Sequence, residues 1–340
     1  MNIKTAIMAL TQQQDIGADD MVLLMRGIMS GQMTDAQIAA FLVALQLKGI
    51  HASELLGAVR VMRELVTRVE VKDKSHLVDT CGTGGTGADT FNISTAAAMV
   101  AACAGARVAK HGNRGATSKS GSADLLEAAG VNLNLGPEAV AQCIDSIGVG
   151  FMFAPGHHSA MKHVIGPRRE IGVRTIFNLL GPLTNPAGAP NQLLGVYDAA
   201  WIDVMLDVLK NLGSEHVLIV AAADGLDEIS ISSPTRIGEL RHGEVRNFTV
   251  VPEEFGIRRR EGFAMLQISD AQESLVLVRN ALTYEDEAAG DIVALNAGAA
   301  IYAANVVADI ASGVKLAQEI LHSGAALKKM EELAAFSASL

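Results

Sequence analysis

Cysteine is scarce in this chain. There are three in 340 residues, Cys81, Cys103 and Cys143, spaced too irregularly for a disulfide framework or a zinc site. Cys81 precedes a glycine-rich turn, where a small apolar residue suffices, and Cys103 and Cys143 read as core. No stretch offers the ~18 uninterrupted apolar residues that a membrane span needs, and the opening MNIKTAIMAL turns polar too soon for a signal peptide. Positive charge is short as well: 27 Lys and Arg face 37 Asp and Glu, a formal net charge of -10. That balance argues against a nucleic-acid binder and for a soluble cytoplasmic protein with reduced thiols. The basic run Arg258 to Arg260 reads as a solvated loop, and there is no internal repeat or low-complexity tract.

With 49% hydrophobic and 19% charged residues, the chain can bury a sizeable core and hold one large domain plus a small one. The first seventy residues read as helices. Thr34 and Gln37 form a capping box, after which Ile38, Phe41, Leu42 and Leu45 fall on one apolar face that ends at Gly49. Leu55, Val59, Met62 and Val66 make a second stripe.

From Leu77 onward short apolar runs alternate with helical segments. Leu77-Val78, Ala106 to Ala109, Gly148 to Phe153, Leu193 to Val196, Val217 to Ala222 and Leu275 to Val278 are strand candidates. Ala96 to Ala104, Ala123 to Ala129, Pro137 to Ile147, Ala200 to Leu212 and Asp291 to Ala303 are the helices between them. This alternation predicts an α/β fold with a mostly parallel sheet flanked by helices. Ligands in such sheets gather at the carboxyl ends of strands. The Pro- and Gly-rich stretch Gly166 to Pro190 reads as a connection between two packed units, and the Ala-rich tail from Gly298 reads as helical.

The centre of the chain is Asp79 to Thr95, DTCGTGGTGADTFNIST. Four glycines, interleaved with Thr83, Thr86, Thr90, Ser94 and Thr95, lie between a strand and a buried helix. Glycine supplies positive φ and close backbone approach, and the following helix start favours an anion. The stretch is therefore a phosphate cradle. Gly82, Gly84 and Gly87 also satisfy the dinucleotide fingerprint, but the acidic residue required about 20 positions on is replaced by Arg107 and Lys110. Walker A is excluded because no Gly-Lys-Ser/Thr closes the loop.

A second polar loop, KHGNRGATSKSGS from Lys110 to Ser122, follows the next strand. Lys110 offers a point charge to phosphate, and Thr117, Ser118, Ser120 and Ser122 offer hydroxyls. A third, AADGLDEISISSP, places Asp224, Asp227 and Glu228 after a strongly apolar strand. Adjacent carboxylates beside two phosphate cradles suggest magnesium bridged to substrate. In Pro155 to Arg169, His157, His158 and His163 lack a zinc spacing and read as loop or pocket-wall residues, while Arg168 or Arg169 can fork onto a carboxylate. Together these features point to group transfer from a diphosphate-bearing substrate, with diphosphate as the leaving group.

CGTGGTGADTFNIST, KHGNRGATSKSGSADLLEA, AMKH followed by GPRREIGVRTIFNLLGPLTNPA, and DGLDE occur in the order that resembles the anthranilate phosphoribosyltransferase family, and the resemblance runs through nearly the whole chain. It implies a nucleoside phosphorylase/phosphoribosyltransferase-like fold: a small helical domain over residues 1–70, completed by a segment near 167–188, and a large α/β domain over 71–166 and 189–340. It implies a homodimer through the helical domain and a site in the cleft between the two domains. Phosphoribosyl pyrophosphate would be held by Gly82, Gly85, Thr86, Thr90, Asn92, Ile93, Ser94 and Thr95 and by Lys110, His111, Gly112, Asn113, Arg114, Gly115, Ala116, Thr117, Ser118 and Ser122. Lys110 would face the leaving group. Gly82, Asn113 and Arg168 would hold anthranilate, and Ser94, Asp227 and Glu228 would bind Mg2+. One departure stands out: the family usually reads GTGGDG, and this chain has Thr86 in place of that Asp, with Asp89 or a water as the expected compensation. A pyrimidine nucleoside phosphorylase of similar fold, a nucleic-acid-binding relative on the same scaffold and a nicotinamide oxidoreductase are the competing readings.

Overall fold

The computed structural model describes residues 1–115 and 118–340. Ala116 and Thr117, two of the expected substrate contacts, lie outside the described residues.

Four helices open the chain: α1 (Ile3–Thr11), α2 (Ala18–Met29), α3 (Asp35–Lys48) and α4 (Ala52–Leu65). The capping box expected at Thr34 is formed. Its hydroxyl accepts from Gln37 N at 3.3 Å, the Gln37 side chain accepts from Thr34 N at 3.0 Å, and Ile38, Phe41, Leu42 and Leu45 are buried. Glu54 is fully buried yet satisfied: it accepts from Ile16 N at 2.9 Å and His51 N at 2.8 Å, and pairs with Lys48 at 3.0 Å. That one carboxylate ties the loop after α1 to the start of α4.

The α/β part follows as β1 (Leu77–Gly82), α5 (Ile93–Cys103), β2 (Arg107–Gly112), α6 (Ser122–Ala128), α7 (Pro137–Ile147) and β3 (Val149–Phe153). Three short helices, α8 (Ala154–His157), α9 (Ile165–Ile171) and α10 (Ile176–Leu180), lead to β4 (Asn191–Gly195), α11 (Trp201–Asn211), β5 (His216–Ala222), β6 (Thr235–Arg241) and β7 (Glu244–Val250). The tail is α12 (Ala271–Leu282), α13 (Glu287–Ala303), α14 (Ile310–His322) and α15 (Ala325–Ala338).

The seven strands run in the order β3-β2-β1-β4-β5-β6-β7. The first five are parallel and the last two pairings antiparallel, so the sheet is mostly parallel as expected. The chain winds outward from β1 in one direction and from β4 in the other. The carboxyl ends of β1 and β4 therefore border the switch point where α/β sheets bind ligands. One core packs α5 and α12 to α15 on one face of the sheet. A second joins α1 to α4 with Val164, Ile176, Phe177, Leu180 and Leu183, with α11, and with residues of β4 and β5.

Two readings are corrected. Leu275 to Val278, expected as a strand, lies inside α12. The Asp270 carboxylate caps that helix by accepting from Glu273 N at 2.9 Å, and Leu275, Val278 and Leu282 form one buried face, so helical periodicity over a wider window outweighs a four-residue apolar run. The β6–β7 hairpin has no counterpart among the strand candidates. Its strands are rich in charge, and its turn is His242-Gly243 with φ of 52° and 79°, the two positive values of a type I′ turn.

A buried ionic network pins that hairpin. Glu239 accepts from Tyr302 OH at 2.6 Å and lies 3.0 Å from His216 Nε2, and Arg246 Nε also donates to it. Burial would raise this carboxyl, but those hydrogen bonds outweigh it and hold the group at about 2. A depressed acid stabilises the fold above its unfolded value of 4.5 and loses that contribution as pH falls toward 2. The difference amounts to about 3 kcal/mol. Glu239→Gln is therefore expected to lower the urea midpoint at neutral pH and to flatten the acid loss of stability. Equal acid sensitivity in both chains would remove this role.

Candidate active site

The first loop leaves β1 at Gly82 and enters α5 at Ile93. Gly84, Gly85 and Gly87 have φ of 62°, 76° and 71°, which bends the backbone into a concavity that L side chains resist. Gly84 N donates to Asp227 at 3.1 Å, whereas the N–H groups of Gly85, Thr86 and Gly87 have no acceptor among the described residues. Free backbone donors lining such a concavity form an anion cradle. The Thr86 hydroxyl accepts from Ala88 N at 3.2 Å, so it braces the loop from within.

Asn92 clasps the two loops together. Its side-chain oxygen accepts from Ser120 and from Ser274 of α12, both at 2.7 Å, and its amide donates to the Ser120 carbonyl at 3.2 Å. Thr90 bridges to Gln267. Ile93 is core and brings only its backbone to the site. Thr95 is buried with its hydroxyl unpartnered among the described residues.

Lys110, in β2, lies beneath this loop. Only 2% exposed, it donates to the Thr80 carbonyl and to Ser94 Oγ at 3.3 Å. Burial lowers its pKa, while Asp79, Cys81 and Glu228 work to keep it charged. The next residue, His111, faces His158 with Nε2 atoms 3.2 Å apart. Burial and the neighbouring histidines push His111 well below the usual value, and burial takes His158 to about 4, so both rings are neutral at pH 7.

The second loop is pinned by Asp124, which accepts from Gly115 N at 2.8 Å and Gly121 N at 2.9 Å. A Cβ on Gly112 would be 3.1 Å from Phe151, so close backbone approach continues here. The Ser122 hydroxyl donates to the Asn113 carbonyl at 3.4 Å, and Ser118 is exposed on the rim. Arg114 turns outward: its guanidinium pairs with Glu127 at 2.7 Å and Asp124 at 3.1 Å. Its backbone alone is left to face a ligand.

The acid turn after β5 meets the first loop at the switch point. Gly82 and Gly195 are register partners at the ends of β1 and β4, and both lie against Asp227. A Cβ on Gly82 would come 2.5 Å from Asp227 Oδ2, and one on Gly195 would overlap the Asp227 carbonyl. Burial raises the Asp227 carboxyl, with the Gly84 N–H opposing it. Burial and then Asp227 push Glu228 up to about 8, against Lys110 and the Ser94 N–H. Asp224 is spent within its own turn, accepting from Leu226 N at 3.3 Å and from the Ser230 hydroxyl.

Arg168, on α9, is half-buried over the Phe177 ring at 5.2 Å. Burial lowers its pKa, and no salt bridge engages it among the described residues. The other histidines of the segment are structural: His157 bonds the Thr67 carbonyl at 3.0 Å, and His163 packs on Gly31. Gly195 and Arg174 carry no signal in the sequence, although both sit against the loops.

Residues 4–66 match the model of the glycosyl transferase family helical bundle domain, and residues 74–327 that of its a/b domain. The anthranilate phosphoribosyltransferase of Thioalkalivibrio sulfidiphilus is 56% identical over 339 residues, covering 100% of both chains. The crystal structure of anthranilate phosphoribosyltransferase from Thermus thermophilus superposes with a TM-score of 0.91 at 41% identity, covering 98% of this chain and 99% of that one. The Saccharomyces cerevisiae enzyme in complex with phosphoribosyl pyrophosphate and magnesium shares the fold, with a TM-score of 0.88 at 24% identity over 99% of both chains.

Proposed function

The chain belongs to the anthranilate phosphoribosyltransferase family, and from that premise we propose how its residues divide the work. The reaction joins the amine of anthranilate to C1 of phosphoribosyl pyrophosphate and releases pyrophosphate. The observation that carries the site assignment is the meeting of a glycine loop with free N–H groups, a buried lysine and an adjacent pair of carboxyls at one switch point.

Gly82, Gly85, Thr86, Thr90 and Asn92 to Thr95 hold phosphoribosyl pyrophosphate, continued by Lys110 to Gly115, Ser118 and Ser122. Asn92 acts by locking both loops in register, and Lys110 keeps a positive charge beneath the diphosphate through Ser94. Asp227, Glu228 and the Ser94 hydroxyl form an all-oxygen donor set that suits magnesium. Among the described residues no group of three or more His, Cys, Asp or Glu could hold a metal by itself, and a bound magnesium would share its remaining positions with substrate oxygens and water. When bound, the ion neutralises charge on the departing diphosphate. An aromatic amine is neutral at pH 7 and needs no strong base, so preorganised donors and the alignment of two substrates carry the rate enhancement.

Arg168, Asn113 and Gly82 hold anthranilate, with the Arg168 guanidinium on its carboxylate. Arg168→Ala is expected to raise the anthranilate KM about 10- to 100-fold, the loss of a charge-assisted bond, with a smaller effect on turnover. An unchanged anthranilate KM in steady-state assays would remove the assignment.

Residues 1–70 with the segment near 167–188 form the small domain, supported by the core that α1 to α4 share with Val164, Phe177 and Leu183. Residues 71–166 and 189–340 form the large one. Met8, Leu23 and Leu47 are 60%, 55% and 77% exposed on α1, α2 and α3, apolar surface that supports homodimer formation through the helical domain. No helix among the described residues is long and apolar enough to cross a membrane, and the acidic chain is assigned to the cytoplasm.

Pyrophosphate release is the deciding assay, run with and without anthranilate, in magnesium and then in EDTA. Release that needs both anthranilate and magnesium is expected. Phosphorolysis of uridine or thymidine instead would overturn the reading.

A further inference from the structure

Arg174 lies in the four-residue connection between α9 and α10, six residues after Arg168. Gly172, with φ of 67°, ends α9, and Thr175 N donates to Asn178 at 3.0 Å to start α10. The backbone on either side is thus fixed. From this connection the guanidinium reaches the first loop, where Nη2 donates to the Gly85 carbonyl. It lies over the Tyr197 ring at 4.2 Å. Tyr197 is itself held, its OH accepting from Trp201 Nε1 at 2.9 Å and its N–H donating to Thr83 Oγ1 at 3.2 Å.

The consequence is stereochemical. In a trans peptide the C=O and the following N–H point in opposite directions. A donor that holds the Gly85 carbonyl outward therefore turns the Thr86 N–H the other way, away from Arg174. That N–H is one of those without an acceptor among the described residues. Gly85, at φ of 76°, has no side chain to resist rotation of this peptide plane, so the tether supplies what the sequence at that position does not.

Resting on the transferase reading, we propose that Arg174 is a positioning residue for the phosphoribosyl donor: it fixes the Gly85–Thr86 peptide so that its N–H meets the diphosphate. Arg174 is exposed, and an exposed guanidinium contributes little to folding stability, so its removal separates positioning from folding.

The test is steady-state kinetics of Arg174→Ala and Arg174→Lys beside the wild-type chain, with thermal midpoints as control. Arg174→Ala is expected to raise the KM for phosphoribosyl pyrophosphate about tenfold, the loss of one aligned donor. The anthranilate KM and the midpoint stay unchanged. Arg174→Lys recovers only part, because an ammonium cannot both stack on Tyr197 and present a planar fork. A donor KM within about twofold of wild type overturns the assignment, and so does an equal rise in both KM values. Absence of turnover in the wild-type chain would fail the reaction reading itself, whereas normal wild-type turnover beside an indifferent variant fails only Arg174.

Discussion

Asp227→Asn combined with Glu228→Gln is expected to lower turnover about 1000-fold, roughly 4 kcal/mol of lost transition-state stabilisation, while making the metal-free protein more stable. The two effects share one cause. Glu228 is pushed up to about 8 from 4.5 by burial and by Asp227. An acid raised by folding stabilises only below its unfolded pKa, and stability is lost as pH rises from about 4.5 through 8. Removing both charges removes that loss, worth about 1–3 kcal/mol at neutral pH once partial exposure is allowed for. The amide oxygen introduced in place of the Asp227 carboxylate can still accept from the Gly84 N–H, so the loop stays in place. Turnover against magnesium concentration and thermal unfolding in EDTA check both halves. A loss under tenfold with unchanged magnesium dependence would return the pair to being an acidic turn.

Legibility from the sequence follows the range of the interaction. The cap at Thr34, the glycine loop and the acid turn are legible because neighbouring residues carry each signal: a hydroxyl three before a glutamine, four glycines in six residues, two adjacent carboxylates. Leu275 to Val278 misleads because a short apolar run fits strand and buried helix alike, and the deciding signal, the Asp270 cap, lies outside it. The β6–β7 hairpin escapes because charged strands carry a weak alternation, and its buried Glu239 becomes intelligible only when His216 and Tyr302 arrive from other elements. Within the site, the loops are legible and their joinery is not. Nothing near Asn92 announces that its oxygen receives Ser120 and Ser274. Arg114 looks like a phosphate ligand in KHGNRG until Glu127, one helix later, claims its guanidinium.

Gly195→Ala carries the second large effect, at a position that reads in sequence only as the end of an apolar strand. Its role comes from the register. Gly195 pairs with Gly82 across the switch point, its carbonyl accepts from Thr83 N at 2.9 Å, and the Asp227 backbone crosses directly over it. An added Cβ would overlap the Asp227 carbonyl oxygen and sit 2.6 Å from the carbonyl carbon. Both are backbone atoms, so no side-chain rotation relieves the clash; either the acid turn or the end of β4 must shift by about 1 Å. Displacement of that size costs about 100-fold in rate when the moved group aligns reactants, against about 1–3 kcal/mol of stability for overpacking. Gly82→Ala is the comparison, because its added carbon meets the carboxylate end of Asp227 at 2.5 Å, which can rotate. The expected order of kcat/KM is therefore wild type, then Gly82→Ala, then Gly195→Ala, with urea midpoints showing all three folded at assay temperature. Full activity in a folded Gly195→Ala would mean that the acid turn tolerates displacement, and the placement of Asp227 would then have no part in the rate.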